Sequence, residues 1–203
     1  SGAALRNNCE PLLISKLPLE AKGVENLRIA VPGYNTTAFL LLKYALPKAN
    51  NFKEFVFSEI ENAVLTGEAD AGLIIHENRF TYQMKGLHKV MDLGEYWEQK
   101  TLHPIPLGGI AIKRSLPITV KKKVNSILFN SIKFAFENPE ISMPFVAKHA
   151  QEMDPIVMKS HIDLYVNTYS QELGEKGRNA IYSLFRIVNP EISNSELSEL
   201  FVE

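Results

Sequence analysis

A histidine and a glutamate, His76 and Glu77, stand directly behind the apolar run Leu73-Ile74-Ile75. Imidazole titrates near neutrality, so a histidine delivered by the end of a buried strand suits general acid–base work. Glu77 or another acceptor can orient such a ring. The plain alternative is a histidine whose hydrogen bonds are satisfied at a strand end and which does no chemistry. A second candidate is the stretch Pro32-Gly33-Tyr34-Asn35-Thr36-Thr37-Ala38. Gly33 permits a tight turn, and the N–H groups and hydroxyls that follow can hold an anion such as a carboxylate. The plain alternative here is a helix cap made by Thr36 or Thr37.

The remaining histidines carry less. His88 sits in an extended segment, His103 precedes Pro104, and His149 and His161 lie among apolar residues of helical stretches. No two histidines have metal-ligand spacing, so no metal site is expected. There is no phosphate-binding loop and no Gly-x-Gly-x-x-Gly. The run Lys121-Lys122-Lys123 reads as the solvated face of a helix. Cys9 is the single cysteine, which rules out an intrachain disulfide and fits a reducing compartment.

The elements that must position these residues follow from pattern. Residues 11–15, 27–31, 55–57, 69–75 and 108–113 read as strands, and 87–93 as an extended edge segment. Helices are predicted from Thr36 or Thr37 to Pro47, over 58–66 and over 95–101, with a helical turn at 80–85. Ser58 and Glu61 have capping-box spacing at the start of the second of these. Residues 119–138, 141–151, 155–166, 170–188 and 193–201 read as further helices. Strands alternate with helices from 27 to 113, which implies a mostly parallel sheet. Ligands bind at the C-terminal ends of such strands, and both candidate stretches fall there.

Composition bounds the rest. The chain has 203 residues, 45% hydrophobic and 22% charged, with 22 basic against 23 acidic side chains. This near-neutral balance is not that of a nucleic-acid binder. No window reaches the length of apolar sequence needed to span a membrane.

Several stretches together resemble the 1,4-dihydroxy-6-naphthoate synthases of menaquinone biosynthesis. They are Ala30-Val31-Pro32-Gly33 with Thr36-Thr37-Ala38-Phe39-Leu40-Leu41-Leu42; Gly67-Glu68-Ala69-Asp70-Ala71-Gly72-Leu73-Ile74-Ile75-His76-Glu77 with Arg79-Phe80-Thr81-Tyr82; Asp92-Leu93-Gly94-Glu95-Tyr96-Trp97-Glu98; Pro106-Leu107-Gly108-Gly109-Ile110; and His161-Ile162-Asp163-Leu164-Tyr165-Val166-Asn167. The resemblance implies a type II periplasmic-binding-protein-like α/β fold, with two lobes around a cleft. Residues 26–102 would form a central lobe. Residues 1–21 and 108–203 would form the remainder of the second, with crossings near 22–25 and 103–107. Members of the family carry a further segment before the position matching Ser1. One lobe is therefore expected to be incomplete, with exposed apolar surface.

For function, the resemblance implies a carbon–carbon lyase of the futalosine pathway, acting in the cytoplasm on cyclic dehypoxanthinylfutalosine without metal or organic cofactor. His76 would be the general base. Thr37 and the backbone at Ala38, with Thr36 as a secondary candidate, would hold a polar or anionic part of the substrate. Ile75 and Leu107 would line its apolar ring. Two other readings stay open: a non-catalytic solute-binding protein that takes a small anion in the same cleft, and a ligand-sensing regulatory domain. Oligomeric state is not legible in the sequence.

Overall fold

The structure is a computed structural model that describes residues 2–7, 11–20, 23–75, 78–149, 159, 162–163 and 165–202. Cys9, His76, Glu77 and His161 lie outside the described residues, as does most of the helix predicted over 155–166. The chain divides into two compact units, residues 7–105 and residues 1–6 with 106–203.

The first unit is built on a five-stranded sheet. Its strands are β2 (Leu12–Ser15), β3 (Ile29–Val31), β4 (Phe52–Glu54), β5 (Ala71–Ile74) and β6 (His88–Asp92), in the order β4-β3-β5-β2-β6. β3 runs parallel to both β4 and β5, while β2 is antiparallel to β5 and β6. The sheet is therefore parallel apart from one inserted reverse strand. Helices α1 (Thr37–Ala45), α2 (Ile60–Thr66), α3 (Asn78–Thr81) and α4 (Leu93–Thr101) complete the unit.

The inner strands β2, β3 and β5 are buried at every residue because both faces are covered, whereas the edge strands β4 and β6 carry exposed polar residues. Leu12, Ile14 and Ile74 share one core with Ile60, Ala63 and Val64 of α2 and with Tyr82 and Leu87. The alternating residues Leu13 and Leu73 are equally buried and project to the other face. Gly72 of β5 lets α2 come close: a Cβ there would stand 2.7 Å from Ile60 Cγ2 and 2.8 Å from Val64 Cγ2. On α4, the fully buried Trp97 donates its indole N–H to the Pro104 carbonyl at 3.2 Å and meets the Tyr44 ring edge-on.

A two-pronged contact fixes the β3–β5 pairing at the end of the sheet where these strands begin. The Arg28 guanidinium donates to both Asp70 oxygens, at 2.7 and 3.0 Å, and the Arg28 backbone N–H adds a bond of 2.9 Å. These hydrogen bonds, first from the guanidinium and then from the backbone, hold the Asp70 carboxyl below the usual carboxylate range.

The second unit contains β1 (Ala3–Arg6) paired with β7 (Ile105–Gly109), and helices α5 (Ile118–Glu137), α6 (Pro139–His149), α7 (Thr168–Gln171), α8 (Gly174–Val188) and α9 (Asn194–Ser198). Leu5, Leu173 and Ala180 form its buried nucleus. None of the twenty residues of α5 is buried, and Ile127, Phe134 and Phe136 on it are exposed.

Several boundaries differ from the sequence expectation. The first unit begins at Asn7, and β2 within it is hydrogen-bonded on both sides in its sheet. The strand predicted over 55–57 lies instead at Phe52–Glu54, because Phe55 and Phe57 turn away to pack against the α2-side core. The strand predicted over 108–113 is β7, shifted toward the N-terminus, and the helix predicted over 170–188 breaks at Glu172–Leu173, where Glu172 is extended (φ −147°, ψ 130°).

Candidate functional site

β3, β4, β5 and β6 all point the same way, so their C-terminal ends lie along one edge of the sheet. At that edge the chain leaves β3 through Pro32 and Gly33, whose φ of 144° is a conformation that favours glycine. The Tyr34 N–H donates to Glu54 Oε1 at 2.8 Å, tying the turn to the end of β4. Thr36 then caps α1. Its hydroxyl accepts the Phe39 N–H at 3.1 Å and donates to the Gly33 carbonyl at 2.8 Å.

The two threonines are thus in different situations. The Thr36 hydroxyl is committed to the helix start in both of its roles. The Thr37 hydroxyl makes no hydrogen bond among the described residues. Thr37 and Ala38 open the helix, so their N–H groups have no intrahelical acceptor, and the helix dipole adds partial positive charge at that point. Hydroxyl and amides together form a cradle suited to a carboxylate or another electron-rich oxygen.

β5 reaches the same edge one strand away. Ile75 follows it directly and is half-buried. His76 and Glu77 come next in the chain and lie outside the described residues; α3 begins at Asn78. Leu107 lies in β7 of the other unit and is half-buried. His88 is exposed on β6, and His149 is the last residue of α6. His103 has a buried Nδ1 without a hydrogen-bond partner among the described residues. Among the described residues no three His, Cys, Asp or Glu side chains come together in a way that could hold a metal ion.

The structure also brings forward residues that sequence reasoning did not single out. Asp92 ends β6 on this edge, caps α4 by accepting the Glu95 N–H at 2.9 Å, and pairs with Arg79 of α3 at 3.0 Å. Glu61, only 4% exposed, accepts a hydrogen bond from the Asn78 side-chain amide at 2.9 Å and one from Lys85 at 2.5 Å. Its expected partnership with Ser58 does not form, and α2 starts without a side-chain cap. The signal that misled was a spacing rule that holds for exposed helix starts; here the carboxylate is drawn inward by two donors well separated in sequence.

A mostly parallel sheet with helices on both faces, and a helix N-terminus open at its C-terminal edge, defines a type II periplasmic-binding-protein-like α/β protein. Solved structures agree. A periplasmic sulfonate-binding protein, SsuA, from Methylobacillus flagellatus superposes with a TM-score of 0.56 at 12% identity, over 98% of this chain and 65% of that one. Protein AF1704 from Archaeoglobus fulgidus superposes with a TM-score of 0.76 at 35% identity, over 94% of this chain and 70% of its own. Within that class the chain belongs to the menaquinone biosynthesis family, which it matches over residues 1–190. It is 44% identical over 189 residues to the 1,4-dihydroxy-6-naphthoate synthase of Streptomyces coelicolor. That match takes in 90% of this chain and 66% of the relative, so the chain spans just under two thirds of the relative's length.

Proposed function

We propose that the chain serves a 1,4-dihydroxy-6-naphthoate synthase, a carbon–carbon lyase that converts cyclic dehypoxanthinylfutalosine to 1,4-dihydroxy-6-naphthoate and releases the sugar remnant. The observation that carries the reading is the open start of α1. Among the described residues the Thr37 hydroxyl and the Thr37 and Ala38 amides are uncommitted, at the sheet edge where β5 also ends and the chain runs on to His76. A relative 44% identical that bears this enzyme name supports the product.

In this reading His76 is the general base. It takes the proton of a sugar hydroxyl, and the oxygen's electron pair forms a carbonyl as the adjacent carbon–carbon bond breaks. The bonding pair passes to the ring system, and aromatisation of the naphthalene drives the step forward. The protein has only to supply the base and hold the reacting conformer, so positioning carries most of the work. Thr37 and the Ala38 amide hold a polar or anionic part of the substrate. Ile75 provides apolar surface for the ring. The mechanism calls for no metal or organic cofactor. The substrate is a small diffusible molecule, and the reading places the reaction in the cytoplasm. Among the described residues no helix is long and apolar enough to cross a membrane.

The test is turnover of cyclic dehypoxanthinylfutalosine, followed by product mass and fluorescence. It is run on the chain alone and on the chain joined to the segment of the Streptomyces coelicolor relative that it does not span. Turnover in either form, lost in His76→Ala while the protein stays folded, supports the reading. Ligand binding without turnover in both forms would replace it with a non-catalytic solute-binding protein of the same fold.

A further inference from the structure

Glu54 closes β4 at the same sheet edge as the start of α1, opposite Val31 in the β3–β4 register. Beyond that pair the Phe55 N–H donates to the Val31 carbonyl at 3.0 Å. The two chains then separate, one toward α2 and the other through residues 32–36 to α1. Side chains tie that turn to β4. The Glu54 carboxylate reaches past the ladder and accepts the Tyr34 N–H at 2.8 Å. It lies against the turn: a Cβ on Gly33 would stand 3.7 Å from Glu54 Oε1. The Tyr34 hydroxyl adds a longer bond, 3.3 Å, to the Phe52 carbonyl of the same strand.

The Thr36 bonds do something different. Their partners, Gly33 and Phe39, both lie three residues away, so they close the turn on itself and start the helix without fixing either to the sheet. Gly33, at φ 144°, gives the backbone more freedom there than another residue would. A turn that opens on glycine keeps its direction only as well as its outer ties do. Of the two bonds to β4, the one to Glu54 is the shorter and has the charged acceptor.

We propose that Glu54 is a positioning residue for the cradle at the start of α1. By holding the Tyr34 N–H at the end of β4, it sets where the Thr37 hydroxyl and the Thr37 and Ala38 amides stand at the sheet edge. The inference rests on the reading of that helix start as a substrate-binding cradle. The role is indirect, through the turn. Glu54 is exposed, and a full negative charge beside a place for a polar or anionic group works against an anion. A strong acceptor therefore stands where its charge is a drawback to binding, and the direction of the turn is what it serves.

The experiment compares Glu54→Ala and Glu54→Gln with the parent, in the chain alone and in the joined form described above. Affinity for cyclic dehypoxanthinylfutalosine is read as Kd by calorimetry and, where the protein turns over, as KM. Glu54→Ala removes the acceptor and should raise both by about threefold to tenfold, the equivalent of one net hydrogen bond, with kcat close to parental. Glu54→Gln keeps an oxygen acceptor and drops the charge, so affinity should return to the parental value or exceed it. Parental affinity in Glu54→Ala would overturn the proposal. So would a Glu54→Gln as impaired as Glu54→Ala, because the charge and not the tie would then matter. Thr37→Val is measured beside them. If it binds as the parent does, or if the parent binds nothing in either form, the cradle reading fails and this inference with it. If Thr37→Val loses affinity while Glu54→Ala does not, only the positioning role fails.

Discussion

The neighbouring threonines at the start of α1 should separate stability from binding. In Thr36→Ala the helix loses the acceptor for the Phe39 N–H, and the turn loses its tie to the Gly33 carbonyl. Removal of a threonine N-cap costs about 1 kcal/mol, within a range of roughly 0.5–2. In Thr37→Val the shape at the first helical position is kept and only a hydroxyl without a partner among the described residues is removed. The change in stability should stay within about 0.5 kcal/mol. If that hydroxyl donates to an anionic group of the substrate, its loss costs roughly 1.5–3 kcal/mol of binding, or about tenfold to a hundredfold in KM. Stability can be read from denaturant unfolding followed by Trp97, the single tryptophan, fully buried against Tyr44 and the Pro104 carbonyl. Turnover of cyclic dehypoxanthinylfutalosine gives KM. The expected pattern is crossed: Thr36→Ala loses stability with a minor change in KM, and Thr37→Val loses affinity with no change in stability. Parental KM in Thr37→Val, or a larger KM effect in a fully stable Thr36→Ala, would refute the assignment of the cradle.

Other consequences can be checked on the folded chain. Gly72→Ala places a methyl group 2.7–2.8 Å from the Ile60 and Val64 methyls, and should lower stability by about 1–3 kcal/mol in denaturant unfolding. Asp70→Asn should be less stable than the parent near neutral pH. The folded-state pKa of Asp70 is depressed by Arg28, so its contribution is present above the ordinary carboxylate pKa and is lost as pH falls through the folded-state value. Thermal midpoints of the two proteins should therefore converge in acid. A gap that persists there would mean that Asp70 acts through something other than its charge. Phe134→Lys, on the exposed face of α5, should leave the unfolding midpoint unchanged within about 0.5 kcal/mol; a larger loss would mean that this face is packed in solution.

What the sequence made legible was local. The aliphatic run that ends at Val31, the glycine after Pro32 and the threonines that open α1 are all contiguous, and each acts through neighbours within a few residues. The same holds for β5 and for the Gly67 that ends α2 in a left-handed conformation. The topological inference also follows from local information, since alternation of strands and helices leaves few alternatives to a parallel sheet. What escaped was non-local. β2 reads as a short apolar strand, but nothing in residues 11–15 says that it inserts in reverse between β5 and β6. That placement is decided by partners far along the chain.

Glu61 shows the same limit at the level of one side chain. Its spacing from Ser58 satisfies a capping rule, and for an exposed helix start the rule would have sufficed. The structure offers the carboxylate a lysine 24 residues away and an asparagine 17 residues away, in a place where Ile60 and Val64 already bring α2 hard against β5. A charged donor and an amide outcompete one backbone N–H that water can satisfy equally well. The closeness of α2 to β5 is in turn permitted by Gly72, which in sequence reads as no more than a small residue in a strand. The local elements of the site can be read from the sequence because turns and caps are short-range devices. The restraints on the segment after the base cannot, because they come from packing that assembles only when the sheet does. For that reason the candidate base was found from its strand, and the partners of Glu61 only from the fold.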